Sequence, residues 1–158
     1  MEFKSKLFKI KRRNISVAVV GLGYVGLPLA LRFIDKKIKV YGFDVSFEKI
    51  KKLKQGKSDI IDIKSKNLKY FKNNNDRISN NINILKKADA IFVCLPTPLN
   101  NANKPDMSFL KKFYFKMSKI IQKGQILILE STVYPGATEE LVKNFNDKYK
   151  LGNDIFIG

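Results

Sequence analysis

"VAVVGLGYVGLPLA", residues 17–30, passes from a short apolar run, through three spaced glycines, into a segment with apolar residues at helical period. The run from Asn14 to Val20 is rich in β-branched residues and nearly all apolar, as a strand buried on both faces must be. Gly21, Gly23 and Gly26 follow in GxGxxG spacing. The first glycine permits a tight turn, the second lets the backbone approach a pyrophosphate, and the third lets helix and strand pack closely. The helix predicted over Leu27 to Lys37 then offers its N-terminal N–H groups and positive dipole end to phosphate, with Tyr24 and Val25 in the first turn. This stretch predicts a dinucleotide-binding βαβ unit. A methyltransferase-type glycine turn is the alternative within the same fold.

The next strand, Ile38 to Asp44 (IKVYGFD), ends in a carboxylate. An acidic side chain there accepts hydrogen bonds from a ribose diol and repels a 2′-phosphate, which selects NAD over NADP. Ser46 reads as the N-cap of a helix with Phe47, Ile50 and Leu53 on one face and Gly56 as its stop. Lys49, one turn in, either neutralises phosphate on the adenosine side, pairs with Asp44, or is one more surface lysine.

Further along, the signal weakens between residues 57 and 81, with one short helix expected near Asn67 to Lys72 and a short strand at Ile82 to Leu85. Ala90 to Leu95 is a clear strand. Ser108 to Gln122 reads as a helix with Phe109, Phe113, Met117 and Ile120 inward. Gln125 to Glu130 is another buried strand, Gly136 to Lys150 is mostly helical, and Asp154 to Gly158 begins a last strand. Alternating β and α units with right-handed crossovers give an α/β, Rossmann-type, doubly wound parallel sheet in three layers. We expect one domain over residues 14–158, preceded by a basic arm over 1–13 and incomplete at its C-terminus.

In an open α/β sheet, ligands sit beyond the carboxyl ends of the strands. Two loops there stand out. Leu95-Pro96-Thr97-Pro98 is stiffened by two prolines, which hold the Thr97 hydroxyl in one place. Glu130 to Glu140 (ESTVYPGATEE) carries the hydroxyls of Ser131 and Thr132 at a strand end, fit to position a nicotinamide, a water or a substrate oxygen. Cys94, the one cysteine, lies in an apolar run. It reads as a small buried hydrophobe with a raised pKa, since the chain has no histidine to activate it.

The composition excludes several classes. A single cysteine rules out a disulfide framework and fits a reducing cytosol. No apolar run reaches the length of a membrane span, and no zinc-ligand spacing occurs. The formal net charge of +17 raises nucleic-acid binding as an option. The lysines alternate with apolar residues at helical spacing, however, and read as solvated helix faces. The expectation is a cytoplasmic protein with neither a nucleic-acid nor a membrane partner.

Taken together, VAVVGLGYVGLPLA, GFD, LPTPLNNANKPDMS and ILILESTVYPGATEE resemble, in order and spacing, the N-terminal NAD-binding domain of the UDP-glucose/GDP-mannose dehydrogenase family. The last motif is most similar to the branch acting on UDP-N-acetylglucosamine or UDP-N-acetylgalactosamine. The resemblance implies NAD-dependent oxidation of a sugar C6 alcohol to a carboxylate through an enzyme-bound thiohemiacetal and thioester. It implies that Gly21, Gly23, Tyr24, Val25 and Gly26 hold the pyrophosphate and that Asp44, with Lys49 beside it, holds the adenosine ribose. It further implies that Thr97 contacts the cofactor and that Thr132, beside Ser131, supports catalysis near the nicotinamide. The family's nucleophilic cysteine, its lysine and asparagine, and its dimerisation helix lie further downstream and have no counterpart in this sequence. The fragment is therefore expected to bind NAD without oxidising a UDP-sugar, and the parent enzyme to be a homodimer. A stand-alone NAD-binding module and a dehydrogenase of the 3-hydroxyacid or 6-phosphogluconate type remain the alternatives.

Overall fold

The computed structural model describes residues 7–8, 10–12, 14–100, 103–145 and 148–158. Six parallel strands form one sheet: β1 (Ser16–Val20), β2 (Lys39–Phe43), β3 (Ile78–Ser79), β4 (Ala90–Val93), β5 (Ile126–Leu129) and β6 (Phe156–Ile157). Their spatial order is β3-β2-β1-β4-β5-β6, the doubly wound order that reverses direction beside β1. The helices are α1 (Gly26–Asp35), α2 (Phe47–Lys54), α3 (Lys69–Asn73), α4 (Ser108–Ser118) and α5 (Ala137–Val142).

Strand side chains alternate between the sheet faces, so a fully covered strand has no polar face to show. Val17 and Val19 enter one core with Leu27, Ala30 and Leu31 of α1, Ile50 and Leu53 of α2, and Phe71 of α3. Ala18 and Val20 enter the other with Leu110, Phe113, Tyr114 and Met117 of α4 and Leu141 of α5. These are the three layers the sequence predicts. Pro28 sits in the first turn of α1, where its missing N–H is not needed by the helix.

Register decides what the cleft contains. Val20 lies beside Phe43 on one side and Val93 on the other, and Val93 lies beside Leu129. The next residues, Gly21, Cys94 and Glu130, each donate a backbone N–H to a neighbouring strand: Gly21 to Phe43 at 2.9 Å, Cys94 to Val20 at 2.8 Å and Glu130 to Val93 at 2.9 Å. Four loops thus leave the sheet in one row.

Several expectations need correction. Ile82–Lys87 is a 3₁₀ segment, not a strand, because the Asn81 side chain accepts the Asn83 N–H at 3.0 Å and winds the chain into a turn. The strand in this region is instead β3, two residues long and too short to carry a period. In helix α4, Phe113 and Met117 face inward as read, but Leu110 and Tyr114 complete that face while Phe109 is exposed, and the helix ends at Ser118, before Ile120. With apolar residues at both 109 and 110, periodicity alone admits either phase. Phe47 is also exposed, so only Ile50 and Leu53 anchor α2. Among the described residues of the long C-terminal helix, Ala137–Val142 is α-helical, continued by a 3₁₀ turn at Lys143–Phe145. Residues 146 and 147 of that stretch, and much of the basic arm over 1–13, lie outside the described residues.

Candidate functional site

The glycine turn is built by contacts that allow no side chain at two of its three positions. Gly21 has φ +83°, and a Cβ there would lie 2.6 Å from the Cys94 carbonyl oxygen. A Cβ on Gly26 would lie 1.9 Å from the Gly21 carbonyl oxygen. Gly23 differs: a Cβ there meets nothing within 4 Å. The space above Gly23 is open, and a side chain would only fill it. Tyr24 and Val25 are 76% and 61% exposed. Among the described residues, no acceptor takes the N–H of Gly23, Tyr24 or Val25. Helix α1 also has no side-chain cap and no acid in its first turn. Unmet N–H groups at the positive end of an aligned set of peptide dipoles form a site for an anion. The open space over Gly23 gives an anion room to reach them.

Asp44 closes one end of this turn. It is 5% exposed, and its carboxylate is bound on both oxygens. Oδ2 accepts the Leu22 N–H at 2.8 Å and the Lys49 ammonium at 2.7 Å, while Oδ1 accepts the Ser46 N–H at 3.0 Å. A carboxylate offers about four acceptor positions, so Oδ1 keeps one for a hydroxyl donor. Ser46 is the N-cap of α2, accepting the Lys49 N–H at 3.2 Å. Of the roles open to Lys49, the structure shows the ion pair with Asp44. The Leu22 contact was not legible as a site feature. Its trace in the sequence is Gly42, where a Cβ would press to 3.0 Å from the Leu22 side chain.

At the other end of the row, the two hydroxyl-bearing loops are laced together. The Thr97 hydroxyl donates to the Thr132 carbonyl at 2.9 Å. The Ser131 hydroxyl donates to the Leu95 carbonyl at 2.7 Å, with Val93 further off at 3.3 Å. Both protons are therefore directed at backbone, and toward a ligand these oxygens can act only as acceptors. The Thr132 side chain is exposed at the strand end. The stiff Pro96–Pro98 segment is held further by the Asp106 N–H donating to the Pro98 carbonyl at 2.7 Å.

Cys94 is half-buried, not fully buried, and packs against the core beneath α1. Burial, followed by the nearby Glu130 charge, pushes its thiol from 9.0 up to about 11. At neutral pH it is a protonated thiol, and the sequence holds no histidine to activate it. Its contribution to the site is backbone, since its carbonyl is the group that excludes a side chain at Gly21.

Comparison with known proteins follows this geometry. The model of the UDP-glucose/GDP-mannose dehydrogenase family, NAD binding domain, matches residues 15–157. The chain is similar to Protein CapL of Staphylococcus aureus, 43% identical over 92% of this chain and 34% of the relative. It is 39% identical to the UDP-N-acetyl-D-glucosamine 6-dehydrogenase of Pseudomonas aeruginosa, over 92% of this chain and 35% of that protein. The solved structure of a UDP-D-ManNAc dehydrogenase from Pyrococcus horikoshii superposes with a TM-score of 0.82 at 30% identity, covering 90% of this chain and 35% of that one. The chain thus spans about a third of the length of the relatives it matches.

Proposed function

The chain belongs to the UDP-glucose/GDP-mannose dehydrogenase family as its NAD-binding domain, and we propose that it holds NAD for oxidation of the C6 alcohol of a UDP-sugar to a uronate. The substrate class we assign is a UDP-N-acetylhexosamine, in line with the named activity of the Pseudomonas aeruginosa relative. NAD supplies the hydride acceptor. The chain's own residues bind and orient it. The free N–H groups of Gly23, Tyr24 and Val25, between Gly21 and Gly26, take the pyrophosphate. Asp44, steadied by Lys49, accepts the adenosine ribose on Oδ1. Thr132 follows β5, three strand spacings from the end of β2, or about 14 Å. That span suits a dinucleotide whose second base lies near Thr132, with Thr97 and Ser131 fixing the loop. The nucleophile belongs to sequence that this chain does not contain, and Cys94 does not replace it. In this reading residues 14–158 are one cofactor domain of a homodimeric cytoplasmic enzyme that makes precursors of surface polysaccharide.

The observation that carries the reading is the open space over Gly23 beneath unmet N–H groups. Gly23→Ala tests it. A Cβ there touches no protein atom, so the variant should melt at the temperature of the unaltered chain. Its NAD affinity, measured by calorimetric titration, should fall at least roughly tenfold, the equivalent of about 1.4 kcal/mol. Unchanged affinity would remove the pyrophosphate from this turn.

A further inference from the structure

The loop that carries Thr132 is held from two sides, and only one faces the cleft. On the cleft side, Ser131 and Thr132 are tied to the β4 loop as described. On the far side, the Tyr134 hydroxyl donates to Glu140 Oε2, and Glu140 Oε1 pairs with the Lys111 ammonium at 2.7 Å. One carboxylate of α5 thus links the loop to α4. Tyr134 stands two residues past Thr132, and Pro135 and Gly136 join it to α5, Gly136 at φ +87° with no atom near its missing Cβ. The turn itself is closed by the Ala137 N–H donating to the Tyr134 carbonyl at 3.1 Å, and Val133 before it packs against the core.

These three side chains are substantially exposed: Tyr134 40%, Lys111 55% and Glu140 42%. Exposed ion pairs add little to global stability, so fold maintenance does not account for the arrangement. Lys111, followed by Tyr134, holds the Glu140 carboxyl below the ordinary carboxylate range. The hydrogen bond to Glu140 in turn holds the Tyr134 phenol above its usual range, so at neutral pH the donors and acceptor are in the states the network needs.

We propose that Tyr134, Glu140 and Lys111 form a brace that positions Thr132 at the nicotinamide end of bound NAD without touching the cofactor. The proposal rests on the assignment of this cleft to NAD. These are positioning residues, and their loss should be felt at one end of the dinucleotide only.

Three measurements on the 158-residue chain test this. Hydrogen–deuterium exchange of the amides over 131–137 should rise roughly tenfold in Tyr134→Phe, which deletes only the hydroxyl, with the melting temperature unchanged. NAD affinity should fall by roughly three- to tenfold, the fold-change expected for one lost hydrogen bond, while affinity for ADP-ribose, which lacks the nicotinamide, stays as it was. Lys111→Met should reproduce both effects and Lys111→Arg should restore both. Unchanged exchange in Tyr134→Phe overturns the brace. Equal weakening of NAD and ADP-ribose overturns its placement at the nicotinamide end, as does equal affinity of the unaltered chain for the two ligands. Failure of the unaltered chain to bind either ligand refutes the NAD assignment instead, and the exchange result still decides whether the brace exists.

Discussion

The two halves of the row of loops hold their functional groups by different means. At the β1–β2 end, geometry is set by backbone packed on backbone. Glycines 21 and 26 admit no Cβ, and a carboxylate that is 5% exposed is bound on both oxygens. At the β4–β5 end, hydroxyls reach across to carbonyls of the neighbouring loop, and a surface chain of Tyr134, Glu140 and Lys111 steadies the outer side. At Gly21 and Gly26 the backbone packing leaves no room for a side chain. Side-chain lacing is replaceable one bond at a time, and each bond contributes about 1 kcal/mol. The first construction suits a contact common to every dinucleotide. The second can be altered at one position without dismantling the loop.

This contrast can be broken by experiment. The largest effect belongs to Gly26→Ala. Its Cβ meets a backbone oxygen at 1.9 Å and cannot turn aside, so urea unfolding should show a loss of about 3 kcal/mol, at the upper end of overpacking costs. A loss under about 1 kcal/mol would mean that α1 can shift and that the turn is less rigid than its contacts imply. At the other end, Ser131→Ala leaves the Leu95 carbonyl without its donor and should cost about 1 kcal/mol by the same measurement. A cost equal to that of Gly26→Ala would erase the distinction between the two regions. Cys94, which stands between them, is expected to contribute backbone and no thiol chemistry. With its thiol at about 11 against 9.0 for an ordinary one, roughly 100-fold less thiolate is present at pH 8. Iodoacetamide should therefore label it about 100-fold more slowly than a free thiol, the rate rising as pH approaches 11. Rapid labelling at pH 8 would show a reactive thiol beside the cleft.

What could be read in advance follows the same division. The GxGxxG turn, the carboxylate ending IKVYGFD and the alternation of strands and helices are patterns of neighbouring residues, so order in sequence carries them. Phe109 is exposed because adjacent apolar residues at 109 and 110 leave the phase of a helix open, and tertiary packing buries Leu110 in its place; in α2, Ile50 and Leu53 are buried as read, while Phe47 at the first position is exposed. Ile82–Lys87 became a 3₁₀ segment because a side-chain hydrogen bond from Asn81 outweighed a weak strand propensity. Thr97 and Ser131 stand out in the sequence as hydroxyls just past two strand ends. That their protons are spent on Thr132 and Leu95, 35 and 36 residues away, has no trace in local pattern.

The sequence by itself determined the family, the doubly wound sheet and the place of the glycine turn, because each depends on short-range periodicity and on the steric needs of glycine. Only the tertiary structure decided which groups face one another across the row: Leu22 on Asp44, Cys94 against Gly21, Thr97 on Thr132, and Tyr134 through Glu140 to Lys111. Those pairings depend on the register of parallel strands joined by long crossovers. Register is fixed by the packing of both sheet faces at once and by no single segment of the chain.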